Sequence, residues 1–120
     1  MDSRDDVLKF MVACGQTNHD TEQKDLYMKL IREEFNELRS AYAQNNIVEI
    51  ADACADLKWV IEGLEHTLRL PNQAVWDEVA RSNHAKISSS GVVEKRADGK
   101  VLKPEGWTPP DIKRILKEQE

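Results

Sequence analysis

Residues 30–57 read LIREEFNELRSAYAQNNIVEIADACADL, and their pattern decides the fold. Apolar side chains recur at helical spacing on both sides of Asn45-Asn46, and the asparagine pair is a natural stop between two helices. On a wheel of about 100° per residue with Leu30 at zero, Leu26, Tyr27, Leu30, Ile31, Phe35, Leu38 and Tyr42 fill an arc from about −40° to 140°. That arc is expected to be buried. Glu34, at about 40°, and Glu37, at about −20°, fall inside it, and Glu33 lies at its edge. On a second wheel starting from Ile47, Ile50, Ala53, Cys54, Leu57, Val60, Ile61, Leu64 and Leu68 spread over about 220–340°. Glu49, Asp52 and Asp56 cluster at about 140–200°, with Val48 and Trp59 beyond them. Each helix therefore carries an acidic stripe bracketed by apolar residues, and a tight helical hairpin brings the two stripes together.

An unpaired buried carboxylate is costly and calls for a cation, a proton or a dense set of donors. Five carboxylates exceed what neighbouring lysines can neutralise across one apolar interface. Hard oxygen donors around a shared space suit Mg²⁺, with Mn²⁺ as a substitute, and Mg²⁺ characteristically completes its shell with substrate phosphates. The alternatives are salt bridges to Lys24, Lys29, Arg32 or Arg39, or an acidic surface facing a partner chain. A helical di-iron site is disfavoured because neither helix has the Glu-x-x-His pair such sites use, and His66 is in the wrong register.

Outward from this hairpin, the spacing predicts a first helix over about 3–14, a second over about 22–44, a third over about 47–70 ended by Pro71, and a fourth over about 71–86. Ser88-Ser89-Ser90-Gly91 then breaks the pattern. Val92-Val93 and Val101-Leu102 flank Asp98-Gly99, which predicts a small β-hairpin. The proline-stiffened segment 104–110 leads to a short terminal helix from about Asp111. The expected fold is all-α: four main helices forming a helical-bundle metal site, plus a small C-terminal β-hairpin and a short terminal helix, in a single domain over residues 1–120.

The chain has 120 residues, 40% apolar and 32% charged, with a net charge of −5. Residues 22–66 hold ten acids and five bases and so carry that whole excess, whereas residues 81–103 hold six bases against two acids. Such a division suits a site with cations on one side and an anionic substrate on the other, although solvated helix faces give the same counts. The acidic balance argues against nucleic-acid binding. No apolar run reaches the length of a membrane span, and the N-terminus has no signal-peptide pattern, so a cytoplasmic protein is expected. Cys14 and Cys54 are too few for a disulfide framework, lack zinc spacing, and read as small buried hydrophobes. Trp59 and Trp76 fall on helices and are assigned to cores or subunit contacts.

Glu33-Glu34-Phe35-Asn36-Glu37 and Glu49-Ile50-Ala51-Asp52 resemble the Glu-Glu-x-x-Glu and Glu-x-x-Asp signatures of the all-α nucleoside triphosphate pyrophosphohydrolases. That superfamily holds MazG proteins, dimeric dUTPases and phosphoribosyl-ATP pyrophosphohydrolase. Residues 49–63, Arg81-Ser82-Asn83-His84-Ala85-Lys86, and residues 98–111 with Trp107 look like its phosphoribosyl-ATP-pyrophosphohydrolase-like branch. The resemblance implies a Mg²⁺-dependent hydrolase in which water attacks the α-phosphorus of a nucleoside triphosphate, releasing a monophosphate and pyrophosphate. It implies Glu34, Glu37, Glu49 and Asp52 as metal ligands. Glu33 would orient or deprotonate the attacking water, and Asp56 would support those ligands or bind an additional ion. Asn83 and Lys86 match a substrate-binding Asn-x-x-Lys, with helix capping and a solvated end charge as the plainer roles. Lys100 and Lys103 are placed to close over the phosphates, Trp107 to stack on a base or pack the terminal segment, and Gln16 to read a base edge. Homodimers or tetramers are implied, since two long helices this apolar need more partners than one short chain supplies. Hydrolysis of phosphoribosyl-ATP and a non-catalytic binding module are the other readings.

Overall fold

The computed structural model describes residues 2–118 and contains five helices: α1 Ser3–Ala13, α2 Thr21–Ala43, α3 Ile47–Thr67, α4 Asn72–His84 and α5 Ile112–Glu118. The chain divides after Leu70 into two compact units.

In the first unit, each helix starts on a side-chain cap. Asp2 accepts from the Arg4 and Asp5 amides, Asp20 from that of Gln23, and Asn46 from that of Glu49. The helices end alike. Gly15, Asn45 and Arg69 take left-handed backbone angles, with φ of 72°, 53° and 55°. The amide that follows each of them reaches back to Met11, Ala41 or Glu65, respectively. This closure stops α3 at Thr67, three residues short of the limit Pro71 would have imposed.

The core of this unit is Val7, Met11, Tyr27 and Val60, with Leu30, Ile31, Leu57 and Leu64 packed against it. Tyr27 can lie flat on α3 because residue 63 is glycine; a Cβ there would overlap its ring. Buried Thr67 accepts from Gln23 Nε2 at 2.8 Å and donates to Gly63 O, while its own carbonyl meets His19 Nδ1 at 2.8 Å. With the Asn18 amide donating to Gln23 Oε1 at 3.0 Å, these bonds tie the 15–20 loop to both long helices.

The expected buried arc of α2 is only partly buried. Tyr27 is 3% exposed, but Phe35 is 49% and Tyr42 73% exposed. Val7 and Met11 of α1 join the core at Tyr27, but most contacts of α2 in this unit are with α3, and one neighbouring helix cannot cover half a circumference around Phe35 and Tyr42. Both cysteines are exposed, against expectation. Cys14 is the C-cap residue of α1, and Cys54 stands at the border of the α3 arc. Trp59 packs edge-on against Phe10 at 5.7 Å, whereas Trp76 is 70% exposed.

In the second unit, α4 carries α5 through buried Ile115 and buried Glu78. The expected β-hairpin does not form. No strand occurs among the described residues, and the region holds two isolated antiparallel bridges, Ile87 with Val93 and Lys95 with Val101. The turns are as the sequence suggested, with Gly91 and Gly99 at φ of 81° and 88°. Only apolar pairs flank them, too little to propagate a ladder, and a two-stranded ribbon is marginal in any case. Among the described residues no helix is long and apolar enough to cross a membrane.

Candidate metal centre

The hairpin of α2 and α3 brings together Glu34, Glu37 and Asp56, whose carboxylate oxygens lie within 4.8 Å of one another. Glu34 and Asp56 are half-buried and Glu37 is exposed, so the cluster opens to solvent on one side. Register explains the selection. About a turn centred on Asn45-Asn46, antiparallel helices set residue i level with roughly residue 91 − i, which pairs the Glu34–Glu37 stretch with residues about 54–57. Asp56 is at that level. Glu49 is about 10 Å further along the α3 axis and exposed, with its amide donating to Asn46 Oδ1 at 3.2 Å. Asp52 lies between these levels, exposed but near enough to act on Glu34 and Asp56 through its charge. Glu33 is exposed beside Glu34.

The electrostatics mark Glu34. Burial, then its contact with the Glu37 carboxyl, then the charges of Glu37, Asp56 and Asp52 push its pKa up to about 7. Burial first, and then Asp52 and Glu37, raise that of Asp56 as well. Oxygen Oε2 of Glu34 is buried without a hydrogen-bond partner. Among the described residues, no lysine or arginine pairs with any acid of this set, including Lys24, Lys29, Arg32 and Arg39. An orphaned carboxylate oxygen within an all-carboxylate set fits a hard divalent cation, which would satisfy the oxygen and relieve the mutual repulsion.

The model of the phosphoribosyl-ATP pyrophosphohydrolase family matches residues 12–83, more than half of the chain and all of the acidic set. The chain belongs to this family. The phosphoribosyl-ATP pyrophosphohydrolase family is in turn part of the MazG-like all-α nucleoside triphosphate pyrophosphohydrolase superfamily. An uncharacterized protein of Acanthamoeba polyphaga mimivirus, L479, is 32% identical over 72 residues. That match covers 58% of this chain and 29% of the mimivirus protein.

In this family member the other sequence-derived candidates fall in two places. Gln16, in the first unit, is half-buried and accepts from the Tyr27 hydroxyl at 2.7 Å, which fixes it over the core. The second unit gathers Asn83, Lys86, Lys103 and Trp107. Lys86 Nζ donates to Asn83 Oδ1 at 3.0 Å, and the Lys86 and Lys103 ammonium groups lie 5.3 Å and 4.8 Å from the centroid of the Trp107 ring. Trp107 Nε1 donates to Ser82 O at 2.6 Å. Lys100 stays exposed, held by its amide on Asp98 Oδ1. Lys86, Lys100, Lys103 and Trp107 lie beyond the matched residues.

Sequence reasoning missed Glu78. It is buried and accepts from Arg81 Nε at 2.7 Å and from the Asp111 amide at 2.6 Å, with Arg114 at 3.9 Å. Arg81 first, and the Asp111 amide next, pull its pKa down to about 2. Its one sequence signal was the Glu78/Arg81 spacing on a helix. The bond to Asp111 joins residues far apart in the chain and left no such trace.

Proposed function

We propose that residues 1–120 act as one catalytic domain that hydrolyses nucleoside triphosphates to a monophosphate and pyrophosphate, with water attacking the α-phosphorus. The observation that carries this reading is the Glu34, Glu37 and Asp56 cluster, which has three carboxylates, one buried orphan oxygen and, among the described residues, no basic partner. Family membership supports the same class of chemistry.

Glu34, Glu37 and Asp56 would hold the metal, with Asp52 as a further ligand from α3 and Glu49, beyond it on α3, as a ligand for an additional ion. Mg²⁺, or Mn²⁺ in its place, would neutralise phosphate charge and lower the pKa of bound water. The carboxylate frame on two packed helices fixes where such charge can sit before substrate arrives, so little reorganisation is needed. Glu33, exposed and adjacent to Glu34, orients or deprotonates the attacking water. Asn83, Lys86, Lys100 and Lys103 bind sugar and phosphate groups, and Gln16 reads a base edge. Tyr42, Ile47 and Val48, each more than 70% exposed around the Asn45-Asn46 turn, support assembly into a homodimer or tetramer.

Phosphoribosyl-ATP as substrate is the second reading, favoured by the description of the matching family. One experiment separates the two: purified protein with Mg²⁺, a panel of ribo- and deoxyribonucleoside triphosphates together with phosphoribosyl-ATP, and chromatographic resolution of the products. Monophosphate plus pyrophosphate from a triphosphate supports the proposal. Selective cleavage of phosphoribosyl-ATP supports the second reading, and stepwise orthophosphate release defeats both.

A further inference from the structure

The segment after α4 gathers positive charge in a way that packing does not require. Lys86 and Lys103 come from separate stretches, yet both set their ammonium groups on one indole, that of Trp107. The indole is itself fixed, half-buried and tethered through Nε1 to the Ser82 carbonyl. Among the described residues neither ammonium has a carboxylate within 4.0 Å, and Asn83 Oδ1 takes one donor of Lys86. Two arginines of this unit are already paired, Arg81 with Glu78 and Arg96 with Asp98.

Two like charges drawn to one ring repel each other, and a solvent-exposed cation–π contact compensates only weakly. An anion with several oxygens that reaches both ammonium groups, which are compact charges with open donors, offsets that repulsion.

We infer that Trp107 is a positioning residue for a two-lysine phosphate subsite: its tethered ring holds Lys86 and Lys103 as a pair that binds a phosphate or pyrophosphate group. The assignment of that group to the nucleotide substrate or its pyrophosphate product rests on the proposed function. A ring that carries two ammonium groups serves them before it serves a base.

The test is titration of the full chain, without metal, with inorganic pyrophosphate, followed by the indole N–H resonance and by calorimetry. K86A and K103A are each expected to weaken binding by about tenfold, the usual effect of losing one charge-assisted contact. W107L, which leaves both lysines in place, is expected to weaken it by a similar factor. W107L/K103A should lose less than the product of the two single effects, because the ring acts through the lysines. W107F, which keeps an aromatic face but lacks the tether, should fall between wild type and W107L. The ratio of kcat/KM for purine and pyrimidine triphosphates should be the same in W107L and wild type. The inference is overturned if W107L binds pyrophosphate as wild type does, or if it changes base preference alone. It is also overturned if W107L loses its helical circular dichroism while K86A and K103A bind normally, since Trp107 would then be a packing residue. Binding needs no turnover, so a wild type that hydrolyses no triphosphate but binds pyrophosphate in a Trp107-dependent way would defeat the proposed function and leave the subsite standing.

Discussion

Glu34 in the first unit and Glu78 in the second are the same residue type, both on helices and both drawn out of water, yet they are opposites. Glu78 is supplied with Arg81, the Asp111 amide and Arg114, and its pKa falls to about 2. Glu34 faces Glu37, Asp56 and Asp52, keeps one oxygen without a partner, and has a pKa of about 7. The first pattern describes a carboxylate completed by the fold. The second describes one the fold leaves incomplete, with an unpartnered oxygen that a proton or a cation would complete.

The largest expected difference is in activity. Glu34→Gln, Glu37→Gln and Asp56→Asn should each lower turnover by on the order of a hundredfold or more, since each removes a proposed ligand charge while preserving shape. Steady-state hydrolysis at saturating Mg²⁺ checks this. Near-normal rates would place the metal elsewhere, first at Glu49 and Asp52.

Stability should move in opposite directions at the two acids. Glu78→Gln is expected to lower the melting temperature by several degrees, because buried donors lose their charged acceptor. Glu34→Gln in metal-free protein should leave the melting temperature unchanged or raise it, because it removes repulsion from an uncompensated site. Thermal melts in EDTA distinguish the two, and equal losses in both variants would erase the contrast.

The pH dependence separates into two windows. Glu34 has a raised pKa, so its native state holds a proton that the unfolded chain releases. Its contribution is fully present below the ordinary value of 4.5 and is lost as pH rises to about 7. Glu78 has a depressed pKa, so its contribution is full above 4.5 and is lost as pH falls towards about 2. Melts in EDTA should therefore decline from pH 4.5 to 7, and saturating Mg²⁺ should abolish that decline, since the ion replaces the proton. A decline that Mg²⁺ leaves untouched would assign the titration to another group.

The smallest effect is expected at Arg114, half exposed and 3.9 Å from Glu78. Arg114→Ala, which also removes an exposed pair with Glu118 at 2.9 Å, should cost no more than about 0.5 kcal/mol in chemical denaturation, and Arg81→Ala clearly more, because Arg81 makes the short bonds to buried Glu78. Equal costs would show that Glu78 is held by net charge rather than by geometry.

The sequence alone determined that the chain is helical, where α2 and α3 start, and that acids fall inside their apolar arcs. Helical period and the Asn45-Asn46 turn are local signals, decided within a few residues. It also overestimated burial of Phe35, Tyr42 and both cysteines, because a wheel gives angles without saying how many neighbours exist to cover them. The tertiary structure decided which acids meet. Angle made Glu49, Asp52 and Asp56 look alike, and only height along the antiparallel pair sets Asp56 level with Glu34 and Glu37. It likewise decided the fate of Glu78, of Trp107 with its two lysines, and of the hairpin that stayed two isolated bridges. Each of these depends on contacts between residues distant in the chain, whose free energy exists only once packing has fixed their separation.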